Sequence, residues 1–179
     1  MALLVAGENV EPALLAEVST LGHPARVIGV YRRDDLPRGT REATLALWHV
    51  ADPGNVGTLL RSAEAFGAGI ALSAGCADRT GPKALRASAG SVFRVPVCGF
   101  DEAPGRRVAL VAHGGTPLRE VELEPPVVLV LGAEREGLPE DVLARCDVHA
   151  SIPLADGAES LNVAMAGTVA LYELARRSS

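Results

Sequence analysis

Aromatic residues, paired cysteines, metal-binding spacings, long apolar runs and excess positive charge are all scarce or missing here, and each absence excludes something. Phe, Trp and Tyr make up only 3% of the 179 residues, although 48% are hydrophobic. Such a core must be built from Val, Leu, Ile and Ala, the composition of parallel strands buried under helices on both faces. Cys76, Cys98 and Cys146 stand far apart with no CxxC pair. They read as small buried hydrophobes in a reducing compartment, not as a disulfide framework. The histidines His23, His49, His113 and His149 show neither HExxH nor any other ligand spacing, so no metal site is expected. The opening MALLVAGENV lacks the basic and apolar regions of a signal peptide. No run approaches the roughly 18 apolar residues of a membrane span. A cytoplasmic protein with no membrane partner is expected. The formal net charge of −5 announces no nucleic-acid binder, so any such contact must come from a local basic patch.

What is present falls into two regions. Residues 1–44 hold a helix-like stretch, VEPALLAEVSTL, an apolar run, ARVIGVY, and a polar segment, RRDDLPRGTRE, whose Pro37 and Gly39 mark a linker. From Leu45 to Ser179, strand-like and helix-like patterns alternate. LALWHV reads as a buried strand, NVGTLLRSAEAFG as a helix stopped at Gly67, and GIALS as a second strand. KALRASAG follows as a helix with Pro82 near its first turn, then SVFRVPV and RVALVAH as strands. PVVLVLG is the most hydrophobic run and the candidate central strand; LPEDVLARC reads as a short helix and VHASIPL as a last strand. The chain closes in SLNVAMAGTVALYELARR, a helix with Ser160 at the N-cap position and Arg176 and Arg177 at its dipole-favoured end. The fold class is α/β, with a mostly parallel sheet flanked by helices.

Three clusters crowd polar residues and glycines at strand ends, where open α/β sheets bind ligands. In HVADPGNVGTLLR, a tight turn leads into a helix that carries Asn55 and Arg61. Gly57, one turn before Arg61, leaves room for the guanidinium; the plainer reading pairs Arg61 with Glu64. In LVLGAEREGL, Gly132 would let a ligand approach the backbone, or Gly132 and Gly137 merely satisfy a turn. In IPLADGAESLNVAMAG, Ser160 and Asn162 at a helix start either bind a ligand or cap the helix. Each cluster alone leaves both readings open.

Together, NVGTLLR, VLGAEREGL and IPLADGAESLNVAMAG resemble, in order and spacing, the three motifs of the SpoU/TrmH family, the RNA 2′-O-ribose methyltransferases of the SPOUT superfamily. KALRASAGSVFRVPV is similar to the stretch such proteins carry between the first two motifs, and the resemblance covers roughly residues 45–177. It implies a C-terminal deep trefoil knot, a rare exception to ordinary chain connections. It also implies a homodimer whose site is completed across the interface, and S-adenosylmethionine as cofactor. The small residues Ala164, Gly167 and Ala170 suit such an interface or burial within one subunit. Cofactor-binding positions would be Gly132, Ala133, Glu134, Gly137, Ile152, Leu154 and Leu161, and catalytic ones Asn55, Arg61, Glu134, Ser160 and Asn162. The substrate would be tRNA or rRNA, with Arg61, Lys83 and Arg86 on its phosphates. Such relatives carry an N-terminal RNA-binding domain for which residues 1–44 are too few, so that region reads as a short extension or remnant. A catalytically silent RNA-binding protein on the same fold is the alternative. A Rossmann oxidoreductase is disfavoured, because Gly54, Gly57, Gly67 and Gly69 do not spell GxGxxG.

Overall fold

The computed structural model describes residues 2–19, 25–156 and 158–177, so Thr20, Leu21, His23 and Gly157 of the segments discussed above lie outside the described residues. Two compact units divide the chain, Met1–Leu36 and Pro37–Ser179. The division falls inside the polar segment that the sequence marks as a linker, ahead of the apolar run from Leu45.

In the first unit, β1 (Ala2–Val5) pairs antiparallel with β2 (Val27–Val30). Helix α1 (Pro12–Val18) lies between them in sequence and buries Leu15 completely. The Asn9 side chain closes the turn after β1, accepting from Val5 N at 2.8 Å and donating to Leu3 O at 3.0 Å. Sequence reading missed β1, whose four residues offer too short a pattern to separate from coil.

The second unit contains β3 (Ala43–Leu47), α2 (Pro53–Ala65), β4 (Gly69–Leu72), α3 (Pro82–Ser88), β5 (Val97–Gly99), β6 (Arg106–Leu110), β7 (Thr116–Pro117), β8 (Val127–Leu131), α4 (Glu140–Leu143), β9 (Val148–Ser151) and α5 (Val163–Arg177). Its seven strands form one sheet in the order β5-β4-β3-β8-β6-β9-β7. Every pairing in it is parallel. All five residues of β8 are buried and it occupies the centre, as its unbroken apolar run predicts. After β3 the chain steps outward through β4 and β5, crosses to β6, and returns to place β8 between β3 and β6. The order therefore reverses about β8, and the crevice that binds ligands in such sheets opens there, at the carboxyl ends.

Strand alternation assigns the two faces. Ala46, Val128 and Val130 point to one face, where they pack with Phe100, Ala103 and Val142 of α4. Leu45 and Leu131 point to the other, against α2 and α5. A Cβ on Gly167 would overlap the Leu59 side chain and lie 3.1 Å from Leu131 Cδ1, so the bare position lets α5 lie close on the sheet. Ala164 and Ala170 are buried beside it. The small residues of α5 thus serve packing within this subunit.

Local chemistry sets the helix ends. Asp52 caps α2, accepting from Gly54 N at 2.6 Å and Asn55 N at 3.1 Å, with Pro53 at the first helical position. The helix therefore starts before Asn55, and the residues read as a turn are its cap and first turn. Gly57 faces α3: a Cβ there would overlap the Ala84 carbonyl and sit 2.7 Å from Ala87 Cβ. Its absent side chain lets two helices touch and gives Arg61 no extra room. Asn162, not Ser160, caps α5, its Oδ1 accepting from Ala164 N at 2.9 Å and Met165 N at 3.4 Å.

SVFRVPV does not form the expected strand. Ser91–Phe93 is a 3-10 turn after Gly90 (φ 90°), and the strand begins only at Val97. Glu64 on α2 explains the departure, accepting from Ser91 Oγ at 2.5 Å and from the Arg94 guanidinium. These bonds hold Glu64 at a pKa of about 2 and leave it no role as partner to Arg61. The three cysteines are half-buried and unpaired, and burial pushes the Cys98 and Cys146 thiols up, away from reactivity. Among the described residues, no helix is long and apolar enough to cross a membrane.

A two-arginine clamp fixes the end of α5. Glu173 accepts from Arg176 Nη2 at 2.8 Å and Arg177 Nη2 at 2.7 Å, while Arg177 also donates to the carbonyls of Leu118 and Val121. Hydrogen bonds from Arg176 and then Arg177 lower the Glu173 pKa from 4.5 to about 2. A depressed carboxylate stabilises the fold above its unfolded pKa and loses that contribution as pH falls toward the folded value. Glu173→Gln is therefore expected to melt lower than the parent at pH 7, with the gap closing between pH 4.5 and about 2; melting curves across that range check it.

Candidate cofactor and catalytic site

Loops following β3, β4, β6, β8 and β9 converge at the reversal point and line two adjoining cavities. The smaller, about 410 Å³, lies between the end of β6, the loop after β8 and the segment joining β9 to α5. It gathers all seven cofactor positions named from sequence: Gly132, Ala133, Glu134, Gly137, Ile152, Leu154 and Leu161. Ser160 lines it too, exposed and making no cap. The larger, about 660 Å³, is bordered by His49, Asp52, Asn55, Gly75 and Asn162. Residues 133–136 form the common wall of both.

That wall is a tight loop. Gly137 N donates to Ala133 O at 2.9 Å, and Gly137 has a φ of +66°. A Cβ on Gly132 would overlap the Gly137 carbonyl and lie 2.6 Å from Leu138 N. The backbone that approaches Gly132 is thus the loop's own rather than a ligand's, and both glycines serve turn geometry while still lining the cavity.

The catalytic candidates divide. Asn55, Glu134 and Asn162, one from each motif, form a single hydrogen-bonded chain. Asn162 Nδ2 donates to Asn55 Oδ1 at 3.2 Å, and Asn55 Nδ2 donates to Glu134 Oε1 at 2.6 Å. Its direction is fixed from one end. The backbone amides of Ala164 and Met165 can only donate, so Asn162 must turn its oxygen to them and its NH₂ to Asn55. Asn55 must then offer its oxygen back and its NH₂ onward, and Glu134 must accept. The helix start thereby orients a carboxylate on the shared wall of both cavities.

Arg61 is not part of this chain. It is exposed on α2, borders neither cavity, and has no hydrogen-bond or ion-pair partner among the described residues. Lys83 and Arg86 lie on α3. Lys83 Nζ donates to Asp52 Oδ2 at 2.7 Å, a bond that leads the causes holding the Asp52 carboxyl below its ordinary pKa. Other basic residues are likewise engaged: Arg41 with Gly67 O at 3.1 Å, Arg94 with Glu64. Arg86 stays exposed. Sequence reasoning missed Asp52 as a cap, though Asp-Pro ahead of a helical run signals one. It also missed His49, Arg135 and His113 at the cavities, which no residue spacing marks.

An open parallel α/β sheet with a paired cavity at its reversal point, walled by loops whose polar residues interlock, is the arrangement in which such sheets hold small ligands. The SpoU rRNA Methylase family model matches residues 42–172. An uncharacterised tRNA/rRNA methyltransferase of Synechocystis sp. is 35% identical over 97% of this chain and 67% of its own length. The 23S rRNA (uridine(2479)-2′-O)-methyltransferase of Streptomyces viridochromogenes is 37% identical over 93% of this chain and 66% of its own. Among solved structures, the AdoMet-bound rRNA methyltransferase of Sinorhizobium meliloti superposes with a TM-score of 0.78 at 32% identity, covering 93% of this chain and 69% of that one. The chain belongs to the SpoU rRNA methylase family. It spans roughly half to two thirds of the length of these curated relatives, with shares between 52% and 67% for the first three.

Proposed function

We propose that this protein methylates a ribose 2′-hydroxyl of transfer or ribosomal RNA, using S-adenosylmethionine held in the smaller cavity. The observation that carries the reading is the Glu134–Asn55–Asn162 chain, which ties all three motifs together at that cavity's wall. The cavity fits the cofactor. Its 410 Å³ lies within the roughly 300–1,000 Å³ of small-molecule sites. Leu110, Ile152, Leu154 and Leu161 give it apolar surface for an adenine, the 132–137 backbone gives polar groups, and Glu134, Glu136 and Glu159 suit a cationic ligand. Bound there, S-adenosylmethionine supplies the electrophilic methyl group on its sulfonium. The chain's own residues orient the reactants and manage a proton. Asn162 and Asn55 hold the Glu134 carboxylate on the wall, and Ser160 presents a hydroxyl to the cofactor side.

Arg61 makes a poor proton acceptor, since a guanidinium in a protein keeps its charge and has donors but no acceptor. In this reading it grips the phosphate beside the target ribose and favours ionisation of the hydroxyl electrostatically, with Arg86 extending the phosphate track. Lys83 contributes less, because Asp52 already pairs with it. Arg61→Lys keeps the charge but loses the bidentate fork. It is expected to lower kcat/KM for RNA by roughly tenfold or more, a hydrogen-bond pair's worth. Full activity in steady-state assays of that variant would reject the clamp.

Two further features fit this reading. Ile152, Leu154, Ser160 and Leu161, between β9 and α5, line the same cavity as the loop after β8, and α5 packs on β3 and β8, which supports a knotted C-terminus. Met165, Val169 and Tyr172 form an apolar stripe on α5, exposed at 57%, 40% and 57%. Arg61, outside both cavities of its own chain, sits one residue from Ser62, whose hydroxyl bonds Thr168 of α5 at 2.6 Å. A second copy docked on that stripe would lie on the helix that Ser62, next to Arg61, contacts, which suits a homodimer whose site is shared. Both substrates place the work in the cytoplasm. Calorimetry tests the reading: about one S-adenosylmethionine per chain is expected, and no binding would favour a catalytically silent RNA-binding protein.

A further inference from the structure

His49 has no place in the machinery just described, yet it borders the larger cavity together with Asn55, Glu134 and Asn162. It follows β3 with a φ of +51°, one of two residues other than glycine with positive φ among the described residues. An exposed side chain held in that left-handed region points to a role for the side chain itself. Its position is also fixed from the core outward. Phe100, buried, meets Trp48 edge to face at 5.1 Å, and the Trp48 indole stacks on the His49 imidazole at 4.7 Å with 3° between planes. Gly75 closes on the same ring: a Cβ there would come 3.1 Å from His49 Cδ2. The His49 backbone N–H donates to Ser73 Oγ at 2.9 Å. The ring borders the cavity with one face covered by Trp48, and an imidazole carries two ring nitrogens able to hydrogen-bond.

The cavity's charge decides what that ring meets. Asp52, Glu134 and Glu136 face it, against Arg135 alone. Even with Lys83 offsetting Asp52, the balance is negative and disfavours a phosphate. Two carboxamides, a carboxylate and an imidazole instead suit an uncharged, polar, planar ligand.

Resting on the methyltransferase reading, we infer that the larger cavity receives the nucleoside of the target RNA, base and ribose without its phosphates, and that the His49 imidazole edge is the chain's contact with the base. The phosphates stay outside on Arg61 and Arg86. His49 is then a specificity residue for this reaction.

Two histidines allow a clean test, because His113 lines the smaller cavity and His49 the larger. In imidazole NMR spectra of the whole protein, with His49→Asn for assignment, S-adenosylhomocysteine should move the His113 resonances. Adding adenosine, cytidine, guanosine or uridine to that saturated protein should then move those of His49 for at least one of them. His49→Gly suits the left-handed backbone though it loses the Trp48 stack, and should remain folded at the assay temperature. It should raise KM for unmodified RNA about tenfold, one hydrogen bond's worth, and leave KM for S-adenosylmethionine unchanged. A His49 signal unmoved by all four nucleosides and by RNA, or an unchanged KM for RNA in the glycine variant, would overturn the inference. A silent His113 would instead count against the cofactor reading, and the nucleoside titration would still judge His49.

Discussion

Asn162→Ala is expected to lower melting temperature and methyl transfer together, whereas Asn162→Asp should restore the first and not the second. The Asn162 oxygen satisfies two amides at the start of α5, and its NH₂ holds Asn55. Alanine removes both functions. Losing an N-cap costs about 1 kcal/mol, or roughly 2–4 °C in a domain of this size. Aspartate caps as well as asparagine and gains from the helix dipole, so stability should return to the parent level or above. Aspartate cannot donate to Asn55, however. If Asn55 turns its NH₂ toward the new carboxylate, its oxygen faces the Glu134 carboxylate, which had been receiving a 2.6 Å hydrogen bond. One link is broken in either orientation. Because misplacing a reactive group by about 1 Å can cost on the order of a hundredfold, both variants should lose roughly 10- to 100-fold in kcat. Thermal melts alongside single-turnover methylation separate the two effects. An aspartate variant with parental kcat would show that the chain does not orient the site.

Gly132→Ala should disrupt the cavity wall with a single methyl group. Its Cβ would meet backbone, the Gly137 carbonyl and Leu138 N, rather than the flexible end of a side chain. The 133–137 loop must therefore move, and it walls both cavities. Overpacking of this kind costs about 1–3 kcal/mol, and a displaced wall should weaken S-adenosylmethionine binding by on the order of tenfold or more. Gly137→Ala is the contrast. Its φ is +66°, but a Cβ there meets nothing within 4 Å, so only the backbone preference is lost, about 1 kcal/mol. Denaturant melts and cofactor titrations of both variants check the order. Equal cofactor affinity in the two would mean the loop is more pliant than its contacts imply.

These residues also show how far the sequence was readable. The alternation of apolar runs placed the central strand at 126–132 and both long helices, because a buried parallel strand and an amphipathic helix each carry their own period. Failures came where a distant side chain decided local structure. Ser91–Phe93 turns because Glu64, far along the chain, binds Ser91 and Arg94. Gly57 and Gly132 were read as open space for a side chain or a ligand, but each is filled by backbone of its own chain. Ser160 looked like a cap, yet the first residue able to bond two free amides is Asn162. At the site, the seven positions that the motif resemblance named for a cofactor line one cavity. The resemblance gave no sign of the His49 ring, whose placement depends on a backbone angle and a stack on Trp48. Nor did it show that Arg61 lies apart from both cavities, since spacing along a helix does not say which site a side chain serves.

The most direct test of the central claim is methyl transfer from labelled S-adenosylmethionine to unmodified tRNA and rRNA pools, followed by complete digestion to nucleosides. Label recovered in a 2′-O-methylated nucleoside, and lost with Asn162→Ala, is the predicted result. Label on a base, or none in either pool from a protein that binds the cofactor, would contradict it.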